Sequence, residues 1–200
     1  MTTVAEKLDY LRVRKIGDCQ RCPLHRNRTN IVFGEGDPEA DVMFVGEAPG
    51  AQEDQTGRPF VGMAGRCLDQ WIVTLGLKRT DVYIANTVKC RPLDNRDPYP
   101  PEKEACAPFL HTQIYLIQPK VLVALGRHAA NSLSGRNLSM GELRESQLIY
   151  ENAKTGLTVP VVPVYHPSYV LRGKRAEKEP VALEDLRTAL ALAGLSPCKE

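Results

Sequence analysis

The chain has 200 residues, 42% hydrophobic and 25% charged, a globular balance that excludes a disordered or fibrous polypeptide. No apolar run approaches the roughly 18 residues that span a bilayer, and the charged N-terminus lacks the apolar core of a signal peptide, so a cytoplasmic protein without a membrane partner is expected. Net charge is +2, from 26 basic and 24 acidic residues, so any nucleic-acid binding must rest on a local basic surface.

Taken in chain order, Val4, Leu8 and Leu11 predict a short amphipathic helix within residues 3–16. The polar, basic stretch 18–30 reads as a cysteine loop. An apolar strand over 42–45 ends abruptly at Gly-Glu-Ala-Pro-Gly, and 51–62 reads as a loop. Ala64, Cys67, Leu68, Trp71, Ile72 and Leu75 share one face, which predicts a helix over 64–75. Residues 81–88 form a second strand, followed by an irregular proline-rich segment containing Pro92, Pro98, Pro100 and Pro101. Cys106, Phe109, Leu110, Ile114 and Ile117 predict a helix over 102–118. A third strand over 120–126, a short helix to 133, a hairpin with a last core strand near 161–164, and a helix over 181–193 complete the pattern. The length suits a single domain over 1–200, with the helix and cysteine loop in about 1–30 and the core in 31–195.

Apolar strands alternating with amphipathic helices predict an α/β fold, a mostly parallel sheet with helices on both faces. Sites in such sheets lie beyond the carboxyl ends of the strands. That rule singles out the loops after 45, 85 and 164, which hold Glu47, Asn86 and His166.

The six cysteines are Cys19, Cys22, Cys67, Cys90, Cys106 and Cys198. A reducing compartment favours metal binding or burial over disulfides. Cys19 and Cys22 form a C-x2-C pair, and Cys90 and Cys106 lie far downstream with fifteen residues between them. Two thiolates on one short loop and two distant ones can complete a four-thiolate shell, for zinc or for a [4Fe–4S] cluster. Cys67 falls on an apolar helix face and reads as core, and Cys198 reads as a tail residue without a role.

GEAPGAQED, GRPFVG, NTVKCRP and HPSYVLR occur in this order, interleaved with the four cysteines. The chain resembles the family 4 uracil-DNA glycosylases, the iron–sulfur type of bacteria and archaea, from about Cys19 to the last helix. The resemblance implies a three-layer αβα sandwich around a mainly parallel four-stranded sheet. It implies a monofunctional glycosylase of base excision repair, which flips uracil out of DNA, hydrolyses its N-glycosidic bond and leaves an abasic site. It further implies a [4Fe–4S] cluster on Cys19, Cys22, Cys90 and Cys106, uracil-containing single- or double-stranded DNA as partner, and a monomer working at the nucleoid of a prokaryotic cytoplasm.

The residues suit that chemistry. An Asn86 side chain can accept from uracil N3–H and donate to O4, a pattern that cytosine inverts. Phe60 matches the stacking aromatic, and such stacking contributes about 1–3 kcal/mol. A His166 N–H aimed at O2 would stabilise the charge that develops on the leaving base. Glu47 could stabilise an oxocarbenium-like sugar, orient water, or close the C5 edge against thymine. The Glu47 and Ala48 amides are further candidates for the base oxygens. Asp54 reads as a structural acceptor. DNA contacts are expected from Arg58, Lys89, Arg91, Arg172, Lys174 and Arg175, with Leu171 as an apolar wedge.

Four alternatives compete. A relative that stays covalently attached to DNA places a histidine after the asparagine motif, and residues 87–105 contain none. Family 5 members usually lack a carboxylate at the position of Glu47. A non-catalytic iron–sulfur or zinc DNA-binding module would bind DNA without releasing base. A generic nucleotide-binding fold is disfavoured because no phosphate-binding glycine motif follows the strands.

Overall fold

The computed structural model describes residues 2–173 and 175–195. Lys174 and Cys198, both assigned above, lie outside the described residues. The strands are β1 (Glu35–Gly36), β2 (Val42–Gly46), β3 (Tyr83–Asn86), β4 (Val121–Leu125), β5 (Leu148–Asn152) and β6 (Leu157–Val164), in the sheet order β1-β3-β2-β4-β6-β5. The four strands β3, β2, β4 and β6 run parallel, as expected. Antiparallel edges β1 and β5 extend the sheet to six strands. β1 escapes pattern reading because two residues, one of them glycine, carry no periodicity.

Alternation along each strand sends side chains into two cores. Met43 and Val45 of β2, with Leu122 and Ala124 of β4, pack on one face. Val42, Phe44, Val121, Val123 and Leu125 pack on the other. Helices α1 (Val4–Tyr10), α4 (Pro100–Ile117) and α5 (Arg127–Ser134) contribute to the first core. Helices α3 (Met63–Thr74) and α8 (Arg175–Leu192) contribute to the second. The result is the three-layer αβα sandwich. No helix among the described residues is long and apolar enough to cross a membrane.

Several local expectations need correction. The N-terminal helix is α-helical only to Tyr10, and Leu11–Ile16 widens into π-helical turns. Pro100 and Pro101 are not loop residues but the first turn of α4. Proline is tolerated there because those N–H groups have no intrahelical acceptor. The segment after GEAPG holds the short helix α2 (Ala51–Thr56), stopped by Gly57 at φ 71°. Helices α6 (Met140–Glu145) and α7 (Pro167–Leu171) are also too short for periodicity to reveal.

Asp54 in α2 anchors the cysteine loop to the sandwich. Its carboxylate is 3% exposed and accepts from the backbone N–H of Thr29 (2.9 Å) and of Asn30 (3.2 Å). Asn30 Nδ2 returns a bond to the Asp54 carbonyl at 2.8 Å. Asp54→Ala removes the charged acceptor of these part-buried hydrogen bonds and is expected to lower unfolding stability by about 1–3 kcal/mol. An unchanged urea midpoint would contradict this assignment.

Candidate active site

The parallel strands end at one side of the molecule, and their following loops line a cavity of about 550 Å³. Glu47 and Ala48 arrive from β2, Asn86 from β3, His166 from β6, and Phe60 from the loop before α3; all line this cavity. Gly126, Arg127 and His128, which follow β4, line it too. Sequence reasoning passed over this fourth strand end, although the carboxyl-end rule applied to all four parallel strands would have found it. Arg96 also lines the cavity and was missed within the proline-rich segment.

Asn86 is 1% exposed, and its Oδ1 is buried without a hydrogen-bond partner. Among the described residues, the other such side-chain atom is Glu47 Oε1. Both residues line the same cavity. Glu47 Oε1 lies 3.2 Å from Lys103 Nζ and 3.6 Å from His128 Nδ1, within ion-pair range but without a hydrogen bond. Behind the side chains, Thr87 N–H bonds the Gly46 carbonyl and Val88 N–H bonds the Glu47 carbonyl, which joins the β2 and β3 loops.

Phe60 is 6% exposed and has φ 49°, a left-handed backbone that a bulky residue rarely adopts. Its neighbours enforce that shape. Glu53 Oε1 accepts from Val61 N–H (2.8 Å) and Gly62 N–H (2.9 Å), while its Oε2 accepts from Gly50 N–H (3.2 Å). Gly65 of α3 meets the Phe60 carbonyl so closely that a Cβ would collide with it. Such strain persists only where surrounding contacts over-determine the conformation.

His166 precedes α7 and caps it with its ring. The Ser168 backbone N–H donates to His166 Nδ1 at 3.1 Å, and the Ser168 hydroxyl lies 2.8 Å from the same nitrogen. A nitrogen that accepts from a backbone N–H carries no proton, so the neutral ring bears its proton on Nε2. Burial, and next the charge of Arg172, push the histidine pKa down to about 4. The ring centroids of His166 and Phe60 are 5.9 Å apart.

The residues assigned to DNA divide. Arg172 lines the cavity, and Leu171 at the end of α7 is 36% exposed. Arg58 is exposed but its guanidinium pairs with Glu35 at 2.8 Å, and Arg175 pairs with Glu179 at 2.8 Å. Arg91 donates to Asn95 Oδ1 at 2.8 Å. Lys89 must be corrected. It is 1% exposed, so it cannot reach a phosphate. Helix α4 covers it, and its Nζ donates to the Asn86 carbonyl (2.9 Å) and to Gln113 Oε1 (2.6 Å). Burial lowers its pKa to about 8.

A second cavity is lined by Cys19, Cys22, Cys90 and Cys106, with Ile16, Ile31 and Phe109 as apolar wall. Arg28 donates to Cys90 Sγ at 3.4 Å, and Lys89 N–H to Cys106 Sγ at 3.3 Å. Burial raises the Cys106 thiol to about 11, so a bound metal would have to displace its proton. Cys67 is 3% exposed in the opposite core.

Residues 33–188 match the family model of the Uracil DNA glycosylase superfamily. The chain is 44% identical to the type-4 uracil-DNA glycosylase of Thermotoga maritima, over 92% of this chain and 94% of that protein. It is 44% identical to the type-4 uracil-DNA glycosylase of Archaeoglobus fulgidus over 87% of this chain and 88% of that protein. The corresponding enzyme of Sulfurisphaera tokodaii is 44% identical over 88% of this chain and 80% of that protein. Identity at this level along most of the length leaves one conclusion: the chain belongs to the uracil-DNA glycosylase superfamily and, within it, to the type-4 uracil-DNA glycosylases.

Proposed function

We propose that the cavity receives a uracil flipped out of DNA and that its residues cleave the N-glycosidic bond by hydrolysis, leaving an abasic site. The observation that carries the site assignment is the Asn86 Oδ1 atom, buried in the cavity wall without a donor. An acceptor left that way costs about 1–3 kcal/mol unless a ligand completes it. Uracil N3–H is such a donor, and the Asn86 Nδ2 group then faces O4. Cytosine presents an acceptor at N3 and a donor at C4, so it leaves both groups mismatched.

Phe60 stacks against the base. As the glycosidic bond breaks, negative charge spreads to O2, where the neutral His166 Nε2–H donates. Glu47 stabilises the sugar as it becomes oxocarbenium-like and orients the attacking water. Arg127 and Arg172 on the cavity lining meet flanking phosphates, and Leu171 fills the space left by the base.

The four-cysteine cavity suits a [4Fe–4S] cluster. Four thiols, two N–H···S donors and an apolar wall support this reading. Bound there, the cluster would tie the N-terminal loop to the segment after β3 and to α4.

The direct test is base release from uracil-containing oligonucleotides, single- and double-stranded, read by alkaline cleavage beside a thymine control. Absence of cleavage by cluster-loaded protein would favour the binding-module reading. Asn86→Ala and His166→Ala are each expected to slow excision by about two to three orders of magnitude with DNA affinity nearly retained. Wild-type rates in both would overturn the site assignment. The purified protein is expected to be brown, absorbing near about 400 nm. A colourless preparation with stoichiometric zinc would refute the cluster alone.

The depressed His166 pKa has a definite sign. Between about 4 and the ordinary value of 6.5, an unfolded chain binds a proton that the folded chain refuses. His166 therefore contributes stability that is fully present above 6.5 and is lost as pH falls through that window. His166→Gln should reduce the slope of melting temperature against pH there, and an unaltered slope would refute the neutral ring.

A further inference from the structure

We propose that Lys103 is a positioning residue for Glu47, an inference that rests on reading Glu47 as part of the catalytic machinery. Glu47 has its backbone fixed, because its carbonyl accepts from Val88 N–H (3.1 Å) and from the Thr87 hydroxyl (2.7 Å). Its side chain is not fixed in the same way, because Oε1 is buried without a hydrogen bond. A long carboxylate side chain loses rotamer freedom only where something holds it. The nearest cation is Lys103 Nζ at 3.2 Å.

Lys103 is suited to that task. It stands in the first turns of α4, between two anchored neighbours. Glu102, 3% exposed, pairs with Arg96 at 2.7 Å and accepts the Tyr99 N–H at 2.7 Å. Cys106, one turn further on, faces the four-cysteine cavity. The helix therefore presents the Lys103 side chain from a defined place. Its side chain is 27% exposed against 20% for Glu47, so solvent screens the pair only in part. Lys103 is not among the residues that line the active-site cavity and reaches the carboxylate from α4. With Oε1 drawn to Lys103, Oε2 is the oxygen left for the water and the sugar.

His128 is the weaker candidate for the same role. It lies 3.6 Å from Oε1, and its Nε2 is shared between Asp97 Oδ2 (3.3 Å) and the Arg127 guanidinium (3.3 Å).

The test is a double-mutant cycle on the cluster-loaded enzyme, with single-turnover excision measured at saturating enzyme and DNA affinity measured separately on undamaged duplex. Lys103→Met should slow excision about tenfold, the size of one coupled interaction, with affinity within about twofold of wild type. Lys103→Arg should restore the rate to within about threefold. In a Glu47→Gln background, Lys103→Met should have no further effect, whereas general damage to the fold would slow both backgrounds alike. Equal slowing in both backgrounds, or a loss of DNA affinity at unchanged single-turnover rate, overturns the proposal. So does a Lys103→Met enzyme at wild-type rate beside a slow Glu47→Gln enzyme. A Glu47→Gln enzyme that itself excises at wild-type rate overturns the reading of Glu47, and this proposal with it. Lys103→Gln, with cluster absorbance as a check on folding, replaces Lys103→Met if the latter is unstable.

Discussion

A side chain at position 46 has nowhere to go. Gly46 ends β2 in register with Asn86 of β3, and a Cβ there would collide with both the Asn86 amide oxygen and the Phe60 ring. That one missing side chain lets an amide and an aromatic ring approach the same strand end. It also explains the neighbouring contacts. Phe60 enters the space with a left-handed backbone, which Glu53 and Gly65 hold in place from two sides. Asn86 can stay there only if the strand end behind it is fixed. The buried ammonium of Lys89 does this by bonding the Asn86 carbonyl, and Gln113 holds that ammonium in turn.

The electrostatics of the cavity follow from what each loop supplies. Backbone geometry after β6 donates an N–H to His166 Nδ1 and so holds the ring neutral with its proton on the far nitrogen. A neutral donor can stabilise developing negative charge without first attracting the DNA backbone. Glu47 brings a carboxylate to the same cavity, beside the Lys103 ammonium. The two groups have different surroundings: burial and the charge of Arg172 act on His166, whereas Glu47 lies beside Lys103.

Much of this was legible in the sequence, and the reasons differ by element. β2 and β4 are continuous apolar runs because both faces of the sheet are covered, and such runs stand out without an alignment. Helix α3 showed through its apolar face. Helices α2, α6 and α7 did not, because five or six residues complete too few turns for a period to emerge. Glu47, Asn86 and His166 stood out in the sequence because each lies at or just past the carboxyl end of a strand. Lys89 was misplaced for the opposite reason. A lysine in a basic stretch reads as a surface cation, and only the packing of α4 across β3 shows that it is enclosed.

The residues by themselves determined the layer architecture, the strand ends that carry the site and the four cysteines that share a cavity. These depend on local periodicity and on short motifs, which are properties of neighbouring positions in the chain. Tertiary structure alone decided which groups face one another. The tautomer of His166, the strained backbone of Phe60, the enclosure of Lys89 and the approach of Lys103 to Glu47 each depend on contacts between segments far apart in sequence or on a turn too short to carry a period. Side-chain type tells what a group can do, whereas distance and burial decide what it does, because the strength of a charge or a hydrogen bond depends on the water excluded around it.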